Sequence, residues 1–132
     1  MKWLISMIAT LLLLAGLASS GCSSSGADCS IASVGVLPAS ATADHSAAPP
    51  GNSQQFVAVG AVPKGCVPIP AVLIDVTWSV SDTTNVTISN TQGQTFGMAT
   101  CIGTTGGPVT VTATRPAVNG HSLSGTSTLT CK

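Results

Sequence analysis

The feature that most limits the fold of this chain is the repeated alternation of apolar and small polar residues after residue 31. Val109–Thr114 shows it most clearly, with apolar residues at every second position and threonine between them. A period of two places one class of residue on each face of a β-strand, and valine, isoleucine and threonine suit a pleated strand. The sequence therefore predicts strands that each bury one face.

Seven such segments follow one another, separated by clusters of glycine and proline. Their predicted bounds are Ser33–Leu37 with a continuation at Ala41–Ala43, Gln54–Val59, Val72–Ser81, Asn85–Ser89, Gln94–Ile102, Val109–Thr114 and Ser122–Cys131. Seven short strands in about a hundred residues are typical of a β-sandwich. We therefore predict an all-β sandwich after an N-terminal signal segment. Its expected core contains Phe56, Val76, Trp78, Val109, Val111 and Leu129.

The third segment carries the longest predicted inward face. Ile74, Val76, Trp78 and Val80 alternate with polar residues and are expected to point into the core. Trp78, Phe56 and Phe96 are the only aromatic residues after the signal segment, and tyrosine is absent. Because sugar recognition commonly uses exposed aromatic rings, this assignment disfavours a lectin-like role.

Composition excludes two classes of protein. Charged residues make up only 6% of the chain, with four basic and four acidic side chains and no glutamate. No basic cluster exists to neutralise phosphates, which argues against nucleic-acid binding. Without glutamate, and with few long helix-forming side chains beyond the N-terminus, a helical bundle is also disfavoured.

The N-terminus predicts export. Met1 and Lys2 form a short cationic start, and the apolar segment Trp3–Leu17 is followed at once by small polar residues. At about 1.5 Å per residue, this segment is shorter as a helix than the ~30 Å hydrocarbon core of a bilayer. It is therefore predicted to be a signal peptide rather than a permanent transmembrane helix.

Two cleavage sites fit this segment. Small residues ending at Gly21 directly before Cys22 resemble a bacterial lipobox, with Ser19 where that family prefers leucine. The resemblance implies a lipid on the Cys22 sulfur, cleavage before Cys22, and acylation of the new amine, for example with palmitate. The alternative is ordinary signal-peptidase cleavage after Ser20, which would release a secreted soluble protein.

Cysteine parity favours the lipoprotein. The chain has five cysteines, and an unpaired thiol is a liability in an oxidising compartment. Lipidation of Cys22 leaves an even number, which can form two disulfides in any of three pairings. These four are Cys29, Cys66, Cys101 and Cys131.

Domain bounds and location follow from the lipoprotein assignment. Residues 1–21 are the predicted signal peptide, 22–30 a lipidated tether rich in small residues, and 31–132 the folded domain. The expected location is a bacterial cell envelope, with the lipid on Cys22 in the membrane. Ser23 after the cysteine favours the outer membrane if the host has one.

Segments spread over nearly all of residues 31–132 resemble a bacterial Ig-like domain of group 2, the type related to invasin and intimin. They are Leu37–Thr42, Gln55–Gly60, Val76–Asp82, Gly97–Thr100, Val109–Thr114 and Ser124–Thr130. The resemblance implies a two-sheet Greek-key sandwich. In that topology the first strand starts beside the loop between strands two and three, and the fifth and last strands end together at the opposite end. The resemblance thus implies disulfides Cys29–Cys66 and Cys101–Cys131.

No catalytic or metal-binding pattern accompanies the strands. His45 and His121 lie in no zinc-binding spacing. Gly120–Ser124 is close to a nucleophile elbow but lacks its final glycine and the strand–turn–helix context. We therefore predict no enzyme activity, no cofactor and no metal.

The predicted function is non-catalytic. We expect a lipid-anchored envelope protein that acts in adhesion, spacing or contact with another envelope or surface protein. Exposed strand edges or the loop Pro63–Ala71 are the expected contact surface. The alternative is a glycan- or peptidoglycan-binding module that uses polar loop residues such as Lys64 or Asn119.

Overall fold

The structure, a computed structural model, describes residues 29–66, 71–116 and 120–132. The predicted signal peptide, the lipidation site Cys22 and residues 22–28 of the tether lie outside these ranges. Within them the chain is all-β, as predicted, and contains no helix. None of the described segments is therefore a membrane-spanning helix.

Ten strands make up the described part of the chain, rather than the seven predicted. They are β1 Ser33–Leu37, β2 Ser40–Ala43, β3 Ser53–Gln55, β4 Val57–Ala61, β5 Ala71–Val72, β6 Thr77–Val80, β7 Val86–Ile88, β8 Met98–Cys101, β9 Val109–Arg115 and β10 Leu123–Cys131. They form three sheets, with strand orders β1-β4-β5, β2-β10-β9-β6 and β3-β8-β7. All pairs are antiparallel except β2 with β10, which is parallel.

Three predicted strands are each divided between two sheets, which accounts for the higher number. The first divides at Pro38, which has no N–H to donate to a ladder, so β1 pairs with β4 and β2 pairs with β10. The second divides at Phe56, whose N–H donates to the Gly97 carbonyl (2.9 Å) directly before β8, so β3 pairs with β8 whereas β4 pairs with β1 and β5. The predicted single strand Gln54–Val59 is therefore wrong, although Phe56 is buried as expected.

The third division corrects the inward face of the predicted strand Val72–Ser81. The Leu73 N–H donates to the Ala58 carbonyl (2.9 Å) and the Leu73 side chain is buried, so Ile74 points outward and is 66% exposed. The prediction that Ile74 faces the core is wrong, because the phase of the alternation changes by one residue before Val76. Val76 and Trp78 are buried as predicted, and Val80 is half-buried.

The fifth predicted strand is shorter than expected. Gln94–Ile102 was predicted as strand throughout, and only β8 is. The residues before β8 form tight turns, in which the Phe96 N–H donates to Gly93 O and the Met98 N–H donates to Thr95 O. Gly97 has a φ of 78°, a value that favours glycine. Phe96 and Met98 are half-buried.

One hydrophobic core lies between the sheets, in a sandwich-like arrangement. All six predicted core residues belong to it: Phe56, Val76, Trp78, Val109, Val111 and Leu129. β1 packs across β10 at Gly125, where a Cβ atom would overlap the Val34 carbonyl. Glycine at this position is what allows the two backbones to approach so closely.

Two disulfides hold the ends of the strands together, and their pairing is the one predicted. Cys29 bonds to Cys66 (Cα–Cα 5.6 Å) and links the segment before β1 to the loop after β4. Cys101 bonds to Cys131 (Cα–Cα 5.7 Å) and links β8 to β10, hence two different sheets. The second pair is buried, whereas Cys29 is exposed.

Candidate functional site

The polar residues singled out in the sequence do not come together in the structure. His45, His121, Ser122 and Lys64 are exposed, and Asn119 lies outside the described residues, as do residues 67–70 of the predicted contact loop. In the part of the chain that is described, no group of three or more His, Cys, Asp or Glu side chains could hold a metal ion.

The outer face of the β1–β4–β5 sheet is apolar. Leu37 is paired with Val57, and Val59 is paired with Val72. Partners in an antiparallel pair point to the same side, and Ala58 between the two β4 valines is buried, so these side chains face outward. We call this surface, together with Ile74, the apolar face; its residues are Leu37, Val57, Val59, Val72 and Ile74.

The apolar face is well exposed. Leu37 is 54% exposed, Val72 63% and Ile74 66%, which makes them three of the four large hydrophobic residues exposed in the described ranges; the fourth is Ile102. Val57 and Val59 are half-buried. Contiguous exposed apolar surface commonly marks a contact site.

A cleft of about 160 Å³ opens at one edge of the apolar face. Val57, Val72 and Ile74 line it on the side of the sheet, and the turn with Gly93 and Phe96 lines it on the other. Trp78 also lines the cleft, and its buried Nε1 has no hydrogen-bond partner within the described residues. The cleft is large enough for one apolar side chain from a partner.

The charged side chains next to the apolar face lie at its border. The Arg115 Nε donates to Asp75 Oδ2 (2.7 Å) beside Ile74, and the pair is partly exposed. The amide of Gln92 donates to the Ile74 carbonyl (2.7 Å) and holds the backbone of this segment. The five residues of the face itself are all aliphatic, so a partner needs no matching charge at its centre.

The outer face of the β2–β10–β9–β6 sheet has the opposite chemistry. Every outward position on its four strands is serine or threonine. We call this surface the hydroxyl face; its eleven residues are Ser40, Thr42, Thr77, Ser79, Thr110, Thr112, Thr114, Ser124, Thr126, Thr128 and Thr130.

Strand register aligns the hydroxyl face into rows. The rows are Ser40–Thr128–Thr110, Thr126–Thr112–Ser79 and Ser124–Thr114–Thr77, with Thr42–Thr130 as a shorter fourth row. Neighbours within a row are about 4.8 Å apart across strands, and rows are about 6.7 Å apart along them. Within the described ranges, none of the eleven hydroxyls has a hydrogen-bond partner.

Two aspartate turns connect the hydroxyl-face sheet to the β3–β8–β7 sheet. In the turn after β6, Asp82 accepts hydrogen bonds from the Thr84 and Asn85 N–H groups (3.0 and 3.1 Å) and from the Asn85 side chain (2.8 Å). In the turn after β2, Asp44 accepts from the Ser46 N–H and hydroxyl. The Asn85 and Ser46 side chains, followed by the backbone N–H groups, hold the pKa of each aspartate below its usual range.

Sequence reasoning found neither face. It placed the threonines of β9 opposite the valines, which is correct, but a single strand does not reveal that its neighbours repeat the pattern in register. It expected Ile74 in the core and so missed the apolar face. The signal for the hydroxyl face was present as two further segments of alternating Ser or Thr, in β6 and β10.

Neither a protein-family model nor a curated protein sequence matches the chain.

Proposed function

We propose that this chain is a lipid-anchored protein of a bacterial cell envelope that contacts a second envelope or surface protein through its apolar face. Adhesion and spacing are the roles that such a contact would serve. The observation that carries the proposal is the exposure of Leu37, Val72 and Ile74 on one surface. Side chains exposed to this extent contribute little to folding, so their clustering favours binding.

The chemistry of the face favours a protein as the partner. Protein interfaces have apolar, desolvated centres and polar rims, and here the aliphatic face has the Asp75–Arg115 pair at its border. The cleft beside Val72 and Ile74 provides a pocket for an anchoring side chain, which is the arrangement that concentrates binding energy in protein complexes.

The support for the lipid anchor comes from the sequence. The Gly21–Cys22 motif supports lipidation, and the apolar segment before it supports export. The described chain begins at Cys29 and enters the apolar-face sheet directly, since the Ala32 N–H donates to the Ala61 carbonyl (2.8 Å). The proposed tether therefore joins the sheet that carries the proposed contact.

Site-specific photocrosslinking in intact cells tests the contact. A photoreactive amino acid replaces Val72 or Ile74 in the full chain, and Ile102 serves as the matched control because it is 57% exposed but is not part of the apolar face. We expect a discrete protein adduct from positions 72 and 74 and none from position 102. Equal adducts from all three, or adducts with lipid alone, would refute the contact.

Replacement of Cys22 tests the anchor separately. We expect Cys22→Ala to abolish labelling with palmitate and to move the protein from the membrane fraction to the soluble fraction. Two or more acyl chains hold a protein firmly on a bilayer, and the variant would carry none of them, so the shift to the soluble fraction should be nearly complete. Unchanged labelling would refute lipidation and would leave the proposed contact standing.

A further inference from the structure

We propose that the hydroxyl face binds a neutral polysaccharide chain. This proposal is independent of the apolar face and of the lipid anchor, because it rests on a different sheet. It assigns the protein a second surface with a ligand of a different chemical class.

The chemistry of the face selects the ligand. A serine or threonine hydroxyl can donate one hydrogen bond and accept two, and all eleven lack a partner within the described residues. A complementary ligand must therefore offer many donors and acceptors in a repeating arrangement. A polysaccharide presents hydroxyl groups in this way along its whole length.

The absence of charged residues on the face narrows the chemical class of ligand that could bind there. None of its eleven residues can form an ion pair, so an anionic or cationic polymer would lack the opposite charge that offsets the desolvation of its own charges. A nucleic acid would require basic side chains. A protein partner would require an apolar centre, which lies on the other side of this molecule. A neutral glycan meets each of these conditions.

The absence of aromatic rings determines how such binding must work. Without stacking, each sugar contributes only hydrogen bonds that compete with water. Measurable affinity then requires several rows of hydroxyls to act on one chain at once, as in multivalent binding. Long or insoluble polysaccharides should bind, whereas short oligosaccharides should not.

Sedimentation with insoluble polysaccharides tests the proposal. The purified full chain is mixed with chitin, cellulose or an insoluble β-1,3-glucan, all of which are neutral, and the bound fraction is measured after centrifugation at several protein concentrations. We expect saturable binding to at least one of the three polymers, and we expect a tetrasaccharide of that polymer at millimolar concentration not to displace the protein. Absence of binding to all three would overturn the proposal.

Two pairs of substitutions locate the binding surface. We call Thr126–Thr112–Ser79 the central row. Thr112→Val with Thr126→Val removes two hydroxyls of this row and keeps the β-branched shape, and Thr112→Lys with Thr126→Lys adds charge. We expect at least tenfold weaker binding from each pair. Thr91→Lys with Thr104→Lys is the control with the same added charge, at exposed threonines outside the face, and should bind as the wild type does.

The outcomes distinguish specific polysaccharide binding from non-specific adsorption and from association with a second copy of the chain. Unchanged binding by the valine pair, with melting behaviour like the wild type, would overturn the proposal. Equal losses in the control pair would also overturn it, because non-specific adsorption would then explain the binding. If wild type forms dimers in gel filtration that both central-row pairs abolish, the occupant is a second copy and the proposal is wrong.

Discussion

The β1–β4–β5 sheet and the β2–β10–β9–β6 sheet pack against the same core, but they differ in the side chains of their outer faces and in the length over which their strands pair. The first presents aliphatic side chains on strands paired over a few residues, and β5 pairs with β4 at only two positions. The second presents hydroxyls, and its two central strands pair over seven positions. Packing against the core therefore does not determine what a sheet shows to solvent. From this difference we expect stability to depend mainly on the second sheet, and the two proposed binding surfaces lie on different sheets.

The two disulfides provide the strongest test of where stability resides. In the chain-entropy model, loops closed over separations of 30 and 37 residues each stabilise the fold by about 4 kcal/mol. Cys101 and Cys131 are in addition buried. We therefore expect Cys101→Ala with Cys131→Ala to lower the free energy of unfolding by about 4 kcal/mol or more.

Urea denaturation measures this loss, and Cys29→Ala with Cys66→Ala is the matched comparison. Its bond lies nearer the surface, on the side of the apolar-face sheet, so its loss should be the smaller of the two. A larger loss from the Cys29–Cys66 pair would reverse the proposed distribution of stability.

Substitutions at two neighbouring residues of β10 compare how much the inner and outer surfaces of the hydroxyl-face sheet contribute to stability. Leu129 is fully buried, so Leu129→Ala should cost about 3 kcal/mol through lost burial and the cavity that remains. Thr128 points outward, and Thr128→Ala should change stability by no more than about 0.5 kcal/mol. Chemical denaturation of both variants checks this. A large loss from Thr128→Ala would show that the hydroxyl face supports folding and would weaken its assignment to binding.

Strands whose alternation is unbroken could be predicted from the sequence. β9 and β10 lie within one residue of their predicted bounds, and their predicted core residues Val109, Val111 and Leu129 are buried. The reason is physical: a period of two fixes both the conformation and the buried face. The pairing of Cys101 with Cys131 followed from the resemblance to an Ig-like domain, and the structure has it.

Division of a strand between sheets could not be predicted. The point at which the chain leaves one sheet for the next depends on the carbonyls that accept from Phe56 and Leu73, and these belong to Gly97 and Ala58 in other segments of the chain. Local patterns contain no information about those partners. For the same reason neither candidate surface could be predicted, because each consists of side chains from several strands that only the pairing register brings together.

Adjacent positions after β5 test whether the apolar face is surface or core. Leu73 is buried and Ile74 is 66% exposed, so Leu73→Ala should cost about 2 kcal/mol and Ile74→Ala no more than about 0.5 kcal/mol. Ile74→Ala should nevertheless weaken the proposed protein contact. Thermal unfolding distinguishes the two variants. If both lose the same stability, Ile74 belongs to the core, and the comparison between an apolar and a hydroxyl face no longer holds.

The smallest expected effect concerns the Asp82 turn, which joins the hydroxyl-face sheet to the β3–β8–β7 sheet. Hydrogen bonds from Asn85 and Thr84 lower the Asp82 pKa in the folded protein, so the carboxylate stabilises the fold above its unfolded pKa of about 3.9. That contribution is lost as the pH falls through the lower folded pKa. Asp82→Asn should therefore melt earlier than wild type at pH 7, and the difference should shrink between pH 4 and lower values. A difference that stays constant to pH 2 would mean that the charge of Asp82 does not stabilise this turn.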